Sequence, residues 1–185
     1  MQTHWIANRG VGEPGAEIVI VNPATEEALD RIPAGSAAIA AEAAGAAKSA
    51  FTAWSRLSPT QRRAAIGQVA DRLAMAREEI AELLTKEMGK PLPQSRAEID
   101  GAIASIRSYG ELAVHLRAGS QMSAAGELNF QQRVPRGVAA CIVPWNYPVG
   151  MAITNAVPNL LVGNTVVLKP SEKTPLATRL MVERC

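Results

Sequence analysis

The chain has 185 residues, of which 48% are apolar and 19% charged; 19 Lys and Arg against 17 Asp and Glu leave a formal net charge of +2. That balance excludes a disordered chain and the basic footprint of a dedicated nucleic-acid binder, and 4% aromatics offer few stacking platforms for bases. Cys141 and Cys185 make neither a disulfide framework nor a zinc set, Met1 to Gly10 lacks the pattern of a secretory leader, and no apolar run has membrane-helix length. The expectation is a soluble, cytoplasmic α/β or α+β chain with no nucleic-acid partner, membrane or metal site.

The first part opens with extended pieces. Glu17 to Val21 is rich in Ile and Val and is broken by Asn22-Pro23; a second strand follows near Ala28 to Pro33. Ser36 then caps an alanine-rich helix running to about Trp54, with Ile39, Phe51 and Trp54 as its anchoring face. Packing structure is the expectation for it, in preference to partner binding. Ser58, Pro59 and Gln61 announce the next helix with a capping box and a first-turn proline. Ile66, Val69, Ala70 and Leu73 continue it. After a possible break, Ile80, Leu83, Leu84 and Met88 follow, until Gly89, Pro91 and Pro93 mark an exit. A further helix carries Ile99, Ile103 and Ile106 toward Leu116, and Arg62, Arg63, Arg72 and Arg77 read as solvated helix faces.

Beyond Gly119 the pattern changes. Leu128, Phe130, Gln132 and Val134 alternate as in a half-exposed strand, which Pro135-Arg136-Gly137 breaks. Val138 to Val143 is a continuous apolar run, expected as a strand buried on both faces. A helix over Met151 to Val162 and a second buried strand over Thr165 to Leu168 complete a βαβ unit. Thr174 caps a last helix, with Pro175 at its first position.

The βαβ unit places two polar loops at the carboxyl ends of its strands, where open α/β sheets bind ligands. Pro144-Trp145-Asn146-Tyr147-Pro148 follows the first strand and Lys169-Pro170-Ser171-Glu172 the second. Each residue has a plain alternative. Asn146 is either a turn residue or a side-chain amide donor aimed at a developing oxyanion. Trp145 is core packing or the wall of a cofactor site. Lys169 is a surface cation or, with Glu172, a donor and acceptor for a ribose diol. A carboxylate there also repels a 2′-phosphate, which favours NAD over NADP. Gly10, Gly12 and Gly15 have Gly-x-Gly-x-x-Gly spacing but lead into the extended run Glu17 to Val21 and not into a helix, so no dinucleotide fingerprint is read there, and no P-loop is present.

Five segments occur in order: Asn22-Pro23-Ala24-Thr25-Glu26-Glu27, Glu87-Met88-Gly89-Lys90-Pro91, Pro135-Arg136-Gly137-Val138, Pro144-Trp145-Asn146-Tyr147-Pro148 and Lys169-Pro170-Ser171-Glu172-Lys173-Thr174-Pro175. Together they resemble the N-terminal portion of the NAD(P)-dependent aldehyde dehydrogenase superfamily, from about Trp5 to Cys185. The resemblance implies oxidation of an aldehyde to a carboxylic acid through a cysteine thiohemiacetal and thioester. It makes Asn146 the oxyanion donor and sole catalytic residue here. Ile142, Val143, Pro144, Trp145, Asn146, Lys169, Ser171 and Glu172 become the cofactor-binding set, for NAD in preference to NADP. It also implies a small-molecule aldehyde substrate and a homo-oligomer for the full-length enzyme.

The fold expected from this resemblance is α/β. Residues 1–119 form N-terminal strands and helices of the cofactor-binding domain, and 120–135 an oligomerisation-arm strand. Residues 136–185 form the βαβ start of a truncated Rossmann-like NAD-binding domain. Family members are longer, and their nucleophilic cysteine, general-base glutamate and pyrophosphate loop have no counterpart here. Cys141 reads as a core residue and Cys185 as a helix end; Glu87 and Glu98 read as structural, with monovalent-cation binding a minor reading of Glu98. His4 and His115 read as surface residues. The chain by itself is therefore expected to be inactive, and strand Thr165 to Leu168 to present an apolar edge. The alternative is a truncated non-catalytic nucleotide-binding or interaction module.

Overall fold

The computed structural model describes residues 4–12, 15–113, 115, 120–122, 126 and 128–185. Strands β1 (His4–Ile6) and β2 (Arg9–Val11) form an antiparallel hairpin. Ala7 and Asn8 between them both have positive φ, 49° and 62°, as a two-residue turn of the twist-matched kind requires. The sequence reading has no such hairpin, because alanine in that conformation carries no turn signal. Strands β3 (Glu17–Val21) and β4 (Ala28–Pro33) pair antiparallel as expected. Their loop is set by Asn22, whose Oδ1 accepts from the Ala24 amide at 2.9 Å.

Helix α1 (Ala37–Arg56) is capped by Ser36, whose hydroxyl accepts from the Ile39 amide at 3.2 Å. None of its side chains is fully buried. Polar ties hold it instead: Trp54 Nε1 donates to the Leu160 carbonyl at 2.9 Å, and Thr165 Oγ1 donates to the Ala47 carbonyl at 2.8 Å.

Helix α2 (Pro59–Met75) carries the expected Ser58–Gln61 capping box, and the break falls at Ala76, before α3 (Arg77–Met88). Gly89 ends α3 in the left-handed conformation, φ 82°. Helix α4 (Leu92–Ala113) begins well before Ile99, because Pro93 lies in its first turn, where no amide bond is forfeited. The expected extension toward Leu116 falls outside the described residues. Of the four arginines read as solvated, Arg62 is buried, which corrects that expectation. Its Nε donates to the Leu161 carbonyl at 2.8 Å and its Nη1 to the Leu57 carbonyl, so the helix α2 cation closes two open backbone acceptors. His4 is likewise half-buried, with Nε2 enclosed and unpartnered among the described residues, whereas His115 is exposed.

Strands β5 (Ser120–Met122) and β6 (Leu128–Phe130) pair antiparallel. The strand expected to reach Val134 ends at Phe130, since its partner spans only three residues; Phe130 and Val134 are exposed. Strand β7 (Val138–Ile142), helix α5 (Pro148–Leu161) and strand β8 (Thr165–Lys169) form the expected parallel βαβ unit. Burial of β7 on both faces is not found. Cys141 is buried while Val138, Ala140 and Ile142 are exposed, because nothing among the described residues packs over that face. In β8, Val166, Val167 and Leu168 are half-buried, and β7 is its only strand partner among the described residues.

Helix α6 (Leu176–Arg184) departs from the expected cap. The Thr174 hydroxyl donates to the Trp145 carbonyl at 3.2 Å, and the cap comes from the Glu87 carboxylate, which accepts from the Leu176 and Ala177 amides. The core lies among α2 to α6, around Leu73, Ile80, Leu84, Ile99, Ile106 and Val149. Among the described residues no helix is long and apolar enough to cross a membrane.

Candidate functional site

Parallel register sets Ile142 beside Lys169, so β7 and β8 end level with one another. The Val143 amide donates to the Lys169 carbonyl at 3.1 Å and extends the ladder by one bond. Both loops therefore leave the same edge of the sheet. Thr174 Oγ1 bonds the Trp145 carbonyl across the gap, and the Lys173 ammonium lies 5.8 Å from the Trp145 ring centroid. The structure thus brings together the two loops that the sequence singles out.

Within them the residues differ in exposure. Val143 is buried as part of the strand end, whereas Ile142 is 73% exposed and Trp145 47% exposed, forming an apolar step beside the loops. Pro144 is exposed. Ser171 is buried; its hydroxyl accepts from the Lys173 amide at 3.3 Å and donates to Glu172 Oε2 at 3.4 Å. Lys169 Nζ donates to the Pro170 carbonyl at 3.0 Å. Glu172 is exposed and its carboxyl is held below the ordinary range, first by its own backbone amide, then by the charges of Lys169 and Lys173 and the Ser171 hydroxyl. A cation, a hydroxyl and an ionised carboxylate converge on one loop.

Asn146 sits on the other loop with its side chain exposed, and its amide has no hydrogen-bond partner among the described residues. Its backbone is held from below: Lys90 Nζ donates to the Asn146 carbonyl at 3.3 Å. Lys90 in turn pairs with Glu98, whose Oε1 accepts from the Val149 and Gly150 amides, each at 3.0 Å. The oxygens of Glu98 are occupied by an ammonium and two amides, which replaces the cation reading of this residue. Sequence reasoning did not connect Lys90 or Glu98 to this loop. Lys90 stood in a quoted motif only as part of a helix exit, and 56 residues separate it from Asn146.

Burial raises the thiol pKa of Cys141, and it raises that of Cys185 to about 11 despite the opposing charge of Arg72.

The sequence model of the Aldehyde dehydrogenase family matches residues 11–185. A 3,6-anhydro-alpha-L-galactose dehydrogenase from Streptomyces coelicolor is 35% identical over 167 residues, 90% of this chain and 34% of that protein. A D-glyceraldehyde dehydrogenase (NADP(+)) from Picrophilus torridus is 33% identical over 171 residues, 92% of this chain and 35% of that protein. PnpE from Pseudomonas sp. WBC-3 superimposes with TM-score 0.94 at 38% identity, over all of this chain and 38% of that one. The structure of PnpE in complex with nicotinamide adenine dinucleotide gives 0.95 over the same shares. This chain spans about a third of the length of these curated relatives. With five ordered motifs, two loops meeting at one sheet edge and a family match over nearly every residue, the chain belongs to the aldehyde dehydrogenase family.

Proposed function

We propose that this chain serves an NAD-dependent aldehyde dehydrogenase that oxidises an aldehyde to a carboxylic acid through a cysteine thiohemiacetal and thioester in the full-length enzyme. Asn146 donates its side-chain amide to the oxyanion of the adduct. The observation that carries this reading is an exposed amide, unpartnered among the described residues, on a loop anchored at its backbone. The nucleophile is a residue other than Cys141 and Cys185, whose burial raises both thiols.

The loop chemistry supports a dinucleotide. Lys169 donates and Glu172 accepts, the pairing a ribose diol needs, with Ser171 fixing the turn between them. Ile142 and Trp145 offer apolar surface next to Val143 and Pro144. Bound NAD supplies the hydride acceptor; the ionised Glu172 repels a 2′-phosphate and so favours NAD over NADP. The proposed organisation keeps residues 1–119 and 136–185 as parts of a Rossmann-like cofactor domain, supported by the parallel β7–α5–β8 unit. Residues 120–135 serve as an arm in a cytoplasmic homo-oligomer, supported by the β5–β6 pair and the exposed Phe130.

Asn146→Ala in the full-length enzyme tests the catalytic part. A kcat lower by about 10²–10³ with NAD affinity barely changed is expected; an unaltered kcat, with chemistry rate-limiting, removes Asn146 from the oxyanion role. Glu172→Gln is expected to narrow the preference for NAD over NADP.

A further inference from the structure

We infer that Lys90 and Glu98 are positioning residues for Asn146, an inference that rests on the oxyanion reading above. The two side chains are 6% and 1% exposed and form an ion pair inside the protein. Glu98 projects from α4, and Lys90 from the turn between α3 and α4. Their contacts converge on one short stretch. Lys90 Nζ donates to the Asn146 carbonyl at 3.3 Å and lies 4.2 Å from the Tyr147 ring centroid. Glu98 Oε1 takes the Val149 and Gly150 amides at 3.0 Å each.

Helix α5 has no cap of its own, since its N-cap position is Tyr147 and no side chain there bonds an amide. Glu98 supplies that cap from another helix, and its charge also favours the helix N-terminus. Asn146 is thus bracketed, with its own carbonyl fixed by Lys90 and the first turn after it fixed by Glu98. A buried ion pair is a poor device for stability alone, because an apolar pair of similar volume does as well or better. An apolar pair cannot fix a carbonyl and two amides. What the charged pair adds is the placement of the backbone that carries the Asn146 side chain. An oxyanion donor is useful only within about 2.7–3.1 Å of the developing charge, and a misplacement of about 1 Å costs on the order of 10²-fold in rate. Both residues are too buried to reach a reacting aldehyde, so they act through Asn146.

The test is a double-mutant cycle in the full-length enzyme, using Glu98→Gln, Asn146→Ala and their combination, with kcat, KM and NAD affinity measured for each. Glu98→Gln is expected to lower kcat by at least about tenfold, with KM and NAD affinity changed less than about twofold. Added to Asn146→Ala, it is expected to lower kcat no further. Losses that multiply would overturn the positioning role while leaving the oxyanion role intact, as would a wild-type kcat in Glu98→Gln alone. A wild-type kcat in Asn146→Ala sinks the oxyanion reading and this inference with it. If Glu98→Gln does not fold, Lys90→Met with Glu98→Gln removes both charges together, strands neither, and is read in the same way.

Discussion

The carboxylate of Glu87 on α3 accepts from the backbone amides of Leu176 and Ala177, 89 and 90 residues further along the chain. It is the N-terminal cap of α6, supplied from a different helix. Burial pushes the Glu87 carboxyl up to about 7, against the downward pull of the Ala177 and Leu176 amides. A raised folded-state value means the native protein holds a proton that the unfolded chain releases near 4.5. Stability from this group is therefore complete below about pH 4.5 and is lost as pH rises through about 7. The expected loss is at most about 3.5 kcal/mol, for a displacement from 4.5 to about 7 at ~1.4 kcal/mol per pH unit. Urea denaturation from pH 4.5 to 8 is expected to show the decline in the wild type and a flatter profile in Glu87→Gln.

At Gly89 the helix-exit motif packs directly against the Asn22-Pro23 motif. A Cβ there would lie 2.7 Å from Pro23 Cγ, and the backbone has φ +82°. Gly89→Ala therefore meets both strain and a ring with little room to move, and is expected to cost about 1–3 kcal/mol in chemical denaturation. Gly45→Ala, in the middle of α1 with nothing within 4 Å, is expected to stabilise by about 0.5–1 kcal/mol. Equal effects at the two sites would contradict the contact.

Arg62 and Arg107 separate a buried cation from a surface one. Arg62→Ala strands the carbonyls of Leu161 and Leu57 and is expected to cost about 2–4 kcal/mol. Arg107 pairs with Asp71 at 3.5 Å, with both side chains more than half exposed, and its removal is expected to change stability by less than about 1 kcal/mol. Lysine at position 62 is expected to recover little, since one ammonium cannot reproduce the fork that reaches both carbonyls. Thermal and urea unfolding of the three variants checks this.

The thiols give a labelling prediction. At pH 7.5 the native chain is expected to react with a thiol reagent at least about 100-fold more slowly at Cys185 than the urea-unfolded chain, because its pKa is raised to about 11. Cys141, enclosed in β7, is expected to label only after unfolding. Fast native labelling at either would reopen the question of a nucleophile in this chain.

Features written in neighbouring residues were legible before the fold was known. Ser58 and Gln61 close a capping box within a single turn, and Gly89 stops α3 with the backbone only glycine adopts freely. The alternation of apolar run, helix and apolar run set β7 and β8 parallel, and that placed Asn146, Lys169, Ser171 and Glu172 at one edge. Features written between distant residues were not. Arg62, Glu87 and Glu98 are charged side chains on helices and Lys90 lies in the turn between α3 and α4; Arg62 read as solvated, and nothing in the pattern named a partner for any of them. Each has a backbone partner, which has no letter in a sequence, 51 to 99 residues away. The exposed side of β7 misled for a related reason. Hydrophobicity records that a strand is meant to be covered and says nothing of what covers it.

Helix α1 places no fully buried side chain in the core; only the half-buried Trp54 packs against it, and the helix is further fastened by hydrogen bonds of the Trp54 indole and the Thr165 hydroxyl. Hydrogen bonds of this kind contribute about 0.5–1.5 kcal/mol each, far less than the apolar packing that unites α2 to α6. Two layers of cooperativity are expected: α1 opening while α2 to α6 stay intact, so that in hydrogen exchange its amides become labelled well before those of the core.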